Sequence, residues 1–441
     1  MRWCLLLVLL MHPVRAWEIR VEATPVHGTL YLLESLRGEA HHSRQLARVF
    51  RELRPPTKED QALLEDFARL LQDEAWNTLR LPGDGEKQRT LSDVLEGISL
   101  QARDVEDFLS RTRPLLSTEH HARLADAMRH YAPLYERLIF EPCSAGLEQQ
   151  LSELRQVLAE RRAAECLATI AVLYQSQWPE EDAFVVALTP IPRKEGERIE
   201  AFGHSDGYLS VVEAPQGAPV LGSAGVIVHE LCHALWSNRS AQTAVSLRNA
   251  FPGDVYDQLN EGLATALGNG WFGQAGPEQW YNDPVIDGFA RALLPLLLPY
   301  LEQRKPLDEA FAARATAAFT ATFPEAGRDP IVVLRRVLLI ANSDEIQRGG
   351  FQQRVAALGP MRAIHAATPL SSPETLERYQ SFEGAVIFLI KPSERGLLTP
   401  YALQKSVQQT ERGWRIVLEG ETLAEQEKAL AELLEQPLRE R

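Results

Sequence analysis

Along most of the chain the hydrophobic residues recur at helical spacing, and short Val-rich runs interrupt this pattern near the middle. A first strand is predicted at residues 18–23, and helices follow over 29–178. Two more strands are predicted at 184–189 and 207–213, because each run ends at turn-forming Pro or Gly. The pattern therefore predicts an α+β fold that is predominantly helical, with a small mixed sheet at its centre.

The second half of the chain returns to helical spacing. Helices are predicted at 284–303, 306–322 and 328–342. Two short apolar runs at 385–390 and 414–418 predict a hairpin, and a helix follows at 423–434. Residues 345–441 are thus either a small separate α/β unit or strands that return to the main sheet.

Composition limits the classes of partner. The 441 residues are enough for two or three domains, and 45% apolar content supports sizeable cores. The formal charge of −14 favours solubility and disfavours nucleic acid or anionic membrane surfaces as partners. It indicates neither the substrate nor the oligomeric state.

The N-terminus has the build of a secretory signal peptide. A short basic start at Met1-Arg2 precedes an apolar run from Trp3 to Met11, and Ala16 offers a small residue for cleavage. An uncleaved anchor is disfavoured, because so short an apolar run does not span a bilayer. We therefore expect residues 1–16 to be removed, a mature chain without a membrane span, and a secreted or periplasmic location.

Residues 229–233 read His-Glu-Leu-Cys-His, the HExxH pattern, inside a bulky uncharged stretch. Residues four apart lie on one face of a helix, so His229 and His233 can bind a single Zn²⁺. Glu230 can then reach a water on that metal and act as its general base. Without a metal, these polar groups in an apolar stretch would carry uncompensated desolvation.

A catalytic zinc normally has three protein ligands, and Glu261 is the best third one. The helix predicted over 254–268 carries a core-facing apolar stripe, and Glu261 points away from it. Its own face is lined by Asp257 and by three small residues that would let a second helix approach closely; these are Ala264, Thr265 and Gly268. A solvated glutamate is the alternative interpretation.

HExxH followed by a helix with Asn260-Glu261-x-x-Ala264 resembles the gluzincin branch of zinc metallopeptidases, which includes thermolysin. The resemblance covers about residues 200–270. It implies that His229, His233 and Glu261 bind one zinc, that Glu230 activates the water, and that peptides or proteins are the substrates. It also implies a zincin-like core, with a mixed sheet above the HExxH helix and a helical lobe beneath the cleft.

The chain departs from this family in two respects. The interval between His233 and Glu261 is longer than in thermolysin, and Thr265 stands where thermolysin-like enzymes have an Asp. The partner that orients a zinc-binding His is therefore open, with Asp257 or a backbone carbonyl as candidates. No third His or Met-turn pattern follows HExxH, which disfavours the metzincin branch.

Peptide hydrolysis needs a second electrophile for the developing oxyanion, commonly a Tyr or His. Tyr256, expected in the first turn of the Glu261 helix, and Tyr281, in a turn-like loop, are the leading candidates. Further options are His204, Tyr208, His365 and Tyr379. By the gluzincin resemblance, residues 207–213 would be the edge strand that pairs with substrate, and an internal strand is the equal alternative.

The sequence thus predicts a signal peptide at 1–16, a mainly helical region at 17–178, a catalytic region at 179–344 and an α/β region at 345–441. The main functional hypothesis is an exported zinc metallopeptidase. A zinc amidohydrolase that does not act on peptides, or a silent binding protein with the same fold, is the alternative. Cys143 and Cys166 are the pair to test for a disulfide, and Cys232 is expected to be a small buried filler.

Overall fold

The computed structural model describes residues 17–37, 44–74, 90–178, 183–194, 197, 202–205, 209–274, 276, 279–342 and 363–440. The predicted signal peptide at 1–16 lies outside the described residues. The chain is mainly helical with small mixed sheets, so the predominantly helical α+β class is confirmed. It divides into two compact units: the first comprises Met1–Ala250, Leu259–Trp280 and Leu293–Ala312, and the second comprises Phe251–Gln258, Tyr281–Ala292 and Ala313–Arg441.

Ten helices among the described residues lie wholly in the first unit. They are α1 (Pro25–Arg37), α2 (Arg44–Leu53), α3 (Lys58–Glu74), α4 (Leu91–Gln101), α5 (Val105–Thr112), α6 (Thr118–Tyr135), α7 (Glu141–Glu160), α8 (Ala163–Tyr174), α9 (Val220–Ser237) and α10 (Ala241–Ala250). Helix α4 begins at a reciprocal cap, in which the Thr90 hydroxyl accepts from the Asp93 N–H and the Asp93 carboxylate accepts from the Thr90 N–H. This cap fixes where α4 starts.

The first unit contains a four-stranded sheet of order β1-β2-β4-β3. Its strands are β1 (Ile19–Glu22), β2 (Phe184–Ile191), β3 (Gly203–Ser205) and β4 (Leu209–Pro215). Strands β1, β2 and β4 are parallel, whereas β3 runs antiparallel to β4. Of the two interpretations of residues 207–213, the internal strand is confirmed for the described part and the substrate edge is wrong, because β4 lies between β2 and β3. Among the described strands, β3 is the terminal one beside β4.

The N-terminal helices and the sheet share one hydrophobic core. Residues of β2 and β4, among them Ala187, Ile191 and Val211, are buried in the same cluster as the apolar faces of α1 to α6. The first unit therefore continues through residue 178, where the sequence analysis places a boundary. That boundary follows a change in periodicity, but the helices cover one face of the sheet and cannot be separated from it.

Helices α11 (Gly253–Ala264), α12 (Pro284–Gln303) and α13 (Glu309–Thr322) follow in the chain. By length and apolar composition alone α12 could cross a membrane, whereas the sequence predicts a mature chain without a membrane span. Slightly under half of its most apolar window is buried, 44%. The helix also carries an Asp287–Arg291 ion pair at 2.9 Å.

The second unit has its own five-stranded sheet of order β6-β5-β7-β9-β8. Its strands are β5 (Arg336–Ala341), β6 (Ala363–Ala367), β7 (Ala385–Ile390), β8 (Val407–Thr410) and β9 (Gly413–Glu419), and its short helices are α14 (Pro330–Val333), α15 (Pro373–Ser381) and α16 (Leu423–Leu434). The C-terminal strands therefore form a separate sheet, and the predicted helix at 423–434 is confirmed.

Two predictions for this unit are wrong. The expected helix at 328–342 ends at Val333, and Arg336–Ala341 is a strand because its uninterrupted apolar run is buried between two parallel neighbours. The runs at 385–390 and 414–418 are not a hairpin, since β7 and β9 pair in parallel. A 3₁₀ segment at Pro392–Tyr401 makes the crossover, and the hairpin is β8–β9.

The described cysteines Cys143, Cys166 and Cys232 are free thiols, so the pair tested for a disulfide is not bonded. Cys232 is fully buried on α9, which confirms its expected role as a filler.

Candidate metal centre

Helix α9 carries His229, Glu230 and His233 in the interior of the first unit. It is buried on almost every side, because its residues are apolar or small except for the HExxH polar groups. Directly after α11 the chain continues as a π-helical segment, Thr265–Phe272, that packs against α9. A Cβ at Gly268 would lie only 2.4 Å from the backbone nitrogen of His229. Glycine at 268 is therefore required for the two backbones to approach, as the small residues around Glu261 predicted.

The side chains of His229, His233 and Glu261 converge on one point. The two histidine Nε2 atoms lie 3.1 Å apart. Oε2 of Glu261 lies 3.6 Å from Nε2 of His229, and Oε1 lies 3.5 Å from Nε2 of His233. A tetrahedral zinc with bonds of about 2.0–2.2 Å needs ligand atoms about 3.3–3.6 Å apart. The two distances to Glu261 lie within this range, and the 3.1 Å between the histidine nitrogens lies slightly below it. The donor set fits a zinc ion.

A fourth residue orients one of these three side chains. Nδ1 of His233 lies 3.1 Å from the amide oxygen Oδ1 of Asn260. An amide oxygen only accepts, so Nδ1 carries the proton and Nε2 is left with the lone pair that a metal binds. The orienting group is therefore Asn260, and neither Asp257 nor a backbone carbonyl has this role at His233. Asp257 instead lies 4.0 Å from Arg336 within the second unit.

The ligand set is strongly coupled electrostatically. Burial alone would lower the pKa of His233, but the charge of Glu261 outweighs it and raises that pKa to about 9. Burial would raise the pKa of Glu261, yet the charges and hydrogen bonds of His233 and His229 hold it well below its ordinary value. In the absence of metal, the proton on His233 thus neutralises Glu261, and a bound cation would replace that proton.

Glu230 is only 4% exposed and lies beneath β3. A Cβ added at Gly203 would lie 2.5 Å from Oε1 of Glu230, so the glycine backbone rests against this carboxyl group. Burial raises the pKa of Glu230 above its ordinary value, and the nearby His229 and His233 only partly offset this. A carboxylate with a raised pKa beside a metal centre is suited to accept a proton.

The pairing of β3 with β4 also fixes the direction in which the N–H and C=O groups of Gly203 point. The carbonyl of Phe202 accepts from the N–H of Glu213 on β4, so Phe202 and Glu213 are a hydrogen-bonded antiparallel pair. Such pairs alternate with non-hydrogen-bonded ones. The N–H and C=O of Gly203, opposite Val212, therefore point away from β4, towards the outer side of the terminal strand.

The predicted electrophiles are not brought together by the first unit. Tyr256 is in the first turn of α11, as expected, and Tyr281 is in the turn before α12, where its N–H donates to Asp287. Both tyrosines belong to the second unit, and their catalytic roles stay predictions. His365 and Tyr379 are also in that unit, where Tyr379 donates its hydroxyl to Tyr401, and Tyr208 lies outside the described residues.

Among the further options only His204 is described in the first unit, on β3. It lies on the opposite face of the sheet from α9, beside Glu96. Sequence reasoning missed both Glu96 and the orienting Asn260. The one sequence signal for Asn260 is that it immediately precedes Glu261, the predicted third ligand.

Comparison with known proteins gave no match: no protein-family model, no curated protein and no solved structure corresponds to this chain.

Proposed function

We propose that the protein is a zinc-dependent metallopeptidase with a zincin-like core of the gluzincin kind. His229, His233 and Glu261 hold one Zn²⁺, and Glu230 is the general base. The observation that carries the proposal is the convergence of the three ligand side chains within zinc-binding distances, directly beside a buried glutamate.

When bound, Zn²⁺ supplies a Lewis acid that polarises a carbonyl and lowers the pKa of water to about 7. Residues of the chain accept the proton of the water and orient the ligands. Glu230 accepts the proton of the attacking water on its carboxylate, and burial strengthens it as a base. Asn260 keeps the proton of His233 on Nδ1, so that Nε2 stays available to the metal.

The terminal strand β3 supplies a surface for an extended peptide. Gly203 lies against Glu230 on one side and turns its N–H and C=O away from β4. A peptide added alongside β3 would pair with these groups and bring a backbone amide close to the base. The substrate is thus proposed to be a peptide in extended conformation, aligned by β3 and not by β4.

The test separates metal binding from turnover. The purified chain should contain one zinc by elemental analysis and should cleave members of a peptide library, detected by mass spectrometry. Glu230→Gln should keep its zinc and lose turnover by about 10²–10⁴-fold, as expected for removal of a general base. Glu261→Ala should lose the zinc.

Three outcomes would overturn the proposal. Unchanged turnover in Glu230→Gln would show that Glu230 is not the general base. Stoichiometric zinc in Glu261→Ala would show that Glu261 is not the third ligand. A zinc-loaded chain that cleaves a narrow non-peptide amide but no library peptide would replace the peptidase with an amidohydrolase.

A further inference from the structure

The short strand β3 faces two different layers of the first unit. Neighbouring strand residues point to opposite faces of a sheet. Gly203 lies against Glu230 of α9, whereas His204 points to the N-terminal helices. Its Nε2 lies 3.2 Å from both carboxylate oxygens of Glu96 on α4. Gly203, which lies against Glu230, and His204, which contacts α4, are therefore neighbours in the sequence.

A second contact holds the same ring. The imidazole of His204 stacks nearly parallel to Tyr31 of α1, with centroids 6.1 Å apart and planes 6° from parallel. The Tyr31 hydroxyl in turn donates to Oε1 of Glu213 on β4 at 3.1 Å. Helices α1 and α4 thus contact both strands on the face opposite to α9.

The strand needs such a restraint. Among the described residues, Gly203, His204 and Ser205 of β3 pair with β4, and Phe202 accepts one further hydrogen bond from Glu213. Gly203 has no side chain to pack. The few hydrogen bonds described between β3 and β4 hold this strand weakly by themselves. Glu96 is only 3% exposed, and a buried carboxylate is costly unless it is hydrogen-bonded. The Glu96–His204 contact meets that requirement and fixes β3 at the same time.

We infer that His204 is a positioning residue, whose bond to Glu96 ties β3 to helix α4 and sets the position of Gly203 over Glu230. The N-terminal helical region thereby aligns the substrate-binding strand. The substrate-aligning part of this inference rests on the proposed peptidase function. The restraint of β3 itself does not.

Two substitutions of His204 distinguish the effect of its hydrogen bond to Glu96 from the effect of its side-chain volume. His204→Gln keeps an N–H donor for Glu96, and His204→Leu removes it. His130→Leu is the matched control, because His130 forms a similar contact, 2.7 Å from Asp60, elsewhere in the helical region. The control loses a buried His–carboxylate contact without touching β3.

The first readout is amide hydrogen exchange at residues 202–205, which requires no activity. Exchange should accelerate about tenfold in His204→Leu, the equivalent of one hydrogen bond, and remain near wild type in His204→Gln and His130→Leu. Exchange in His204→Leu equal to that of the wild type would overturn the inference, and so would an equal acceleration in the control.

The second readout is whether the substitution changes KM or kcat. For an extended octapeptide, His204→Leu should raise KM about tenfold with little change in kcat, because aligned binding is lost. An acyl-dipeptide too short to pair with β3 should show no such rise. An equal effect on both substrates would overturn the aligning role. A wild-type chain that cleaves no peptide would overturn the proposed function and the aligning role, and the exchange result would still decide whether His204 restrains β3.

Discussion

The amide oxygen of Asn260 lies 3.1 Å from Nδ1 of His233, on the side of the imidazole opposite to the metal-binding nitrogen. This contact sets the tautomer and the ring orientation of His233, a proposed zinc ligand. Asn260→Ala should therefore lower the zinc affinity about 10–100-fold, the usual effect of losing such an orienting partner. Competition with a chromophoric chelator measures this affinity.

Asn260→Asp is the matched control, because a carboxylate oxygen also accepts from Nδ1 and should keep zinc binding close to wild type. Equal zinc affinities for wild type and Asn260→Ala would show that the contact does not orient His233.

The close approach of α9 and the π-helical segment depends on Gly268. A Cβ at this position would meet the backbone nitrogen and Cα of His229 at 2.4 and 2.6 Å, and backbone cannot move aside as a flexible side chain can. Gly268→Ala should cost about 1–3 kcal/mol of unfolding free energy and weaken zinc binding, because it separates Glu261 from the histidines. Urea denaturation and chelator competition measure the two effects.

Gly222, on the same helix α9, provides the control. A Cβ there meets nothing within 4 Å, so Gly222→Ala should be neutral or stabilise by up to about 1 kcal/mol through its helix propensity. Equal unfolding free energies and zinc affinities in Gly268→Ala and Gly222→Ala would show that the close approach at Gly268 does not stabilise the site.

The sequence predicts which side chains converge at the candidate metal centre because their signal is local. His229 and His233 are related by one helical turn, and Glu261 stands out as an acidic residue among small ones. These three side chains do converge. The orientation of β3 and the role of Glu96 depend on which strands pair across long separations in sequence. No local pattern contains that information.

The errors in the second unit have a related cause. The run Arg336–Ala341 is apolar at every position except the first, so periodicity does not distinguish a buried strand from a buried helix. The parallel pairing of β7 and β9 depends on a crossover through Pro392–Tyr401, and the interval between two strands does not reveal such a crossover. By contrast, the predicted helix at 423–434 matches the bounds of α16, whose first turn is capped by Thr422.

Substitution of Gly203 by alanine should be as damaging as substitution of Gly268. It should lower kcat, whereas Gly268→Ala should lower stability and zinc affinity. A methyl group at 203 would overlap the carboxyl group of Glu230, whose Oε1, Cδ and Cγ atoms would lie at 2.5–2.8 Å. Because Glu230 is buried, either its side chain or β3 must shift. Gly203→Ala should lower kcat by at least about tenfold, since a small misplacement of a catalytic group is costly.

Zinc content separates this effect from misfolding. Gly203 touches none of the three ligands in the contacts described, so Gly203→Ala should still bind one zinc. Wild-type kcat in this variant, or loss of its zinc, would contradict the geometry over Glu230.

The stability of the first unit should depend on pH through Asp60. This carboxylate is 1% exposed and contacts Arg54 at 2.6 Å and His130 at 2.7 Å. Burial would raise the pKa of Asp60, but the bonds from Arg54, Thr57 and His130 hold it well below the ordinary value. A depressed folded-state pKa stabilises the protein above the unfolded pKa of about 3.9, and this contribution is lost as the pH falls through the folded value.

Asp60→Asn should therefore lower the free energy of unfolding by about 3 kcal/mol at pH 7, because the new amide N–H₂ faces existing donors and the partly buried Arg54 loses its carboxylate partner. The difference from wild type should stay constant down to about pH 4 and shrink below it. Urea titrations between pH 2 and pH 7 measure this difference. Glu106→Gln, in the exposed pair with Arg129, should leave stability nearly unchanged throughout, since solvent screens that pair. A penalty in Asp60→Asn that did not decrease in acid would mean that Asp60 stabilises the fold by its shape and not by its charge.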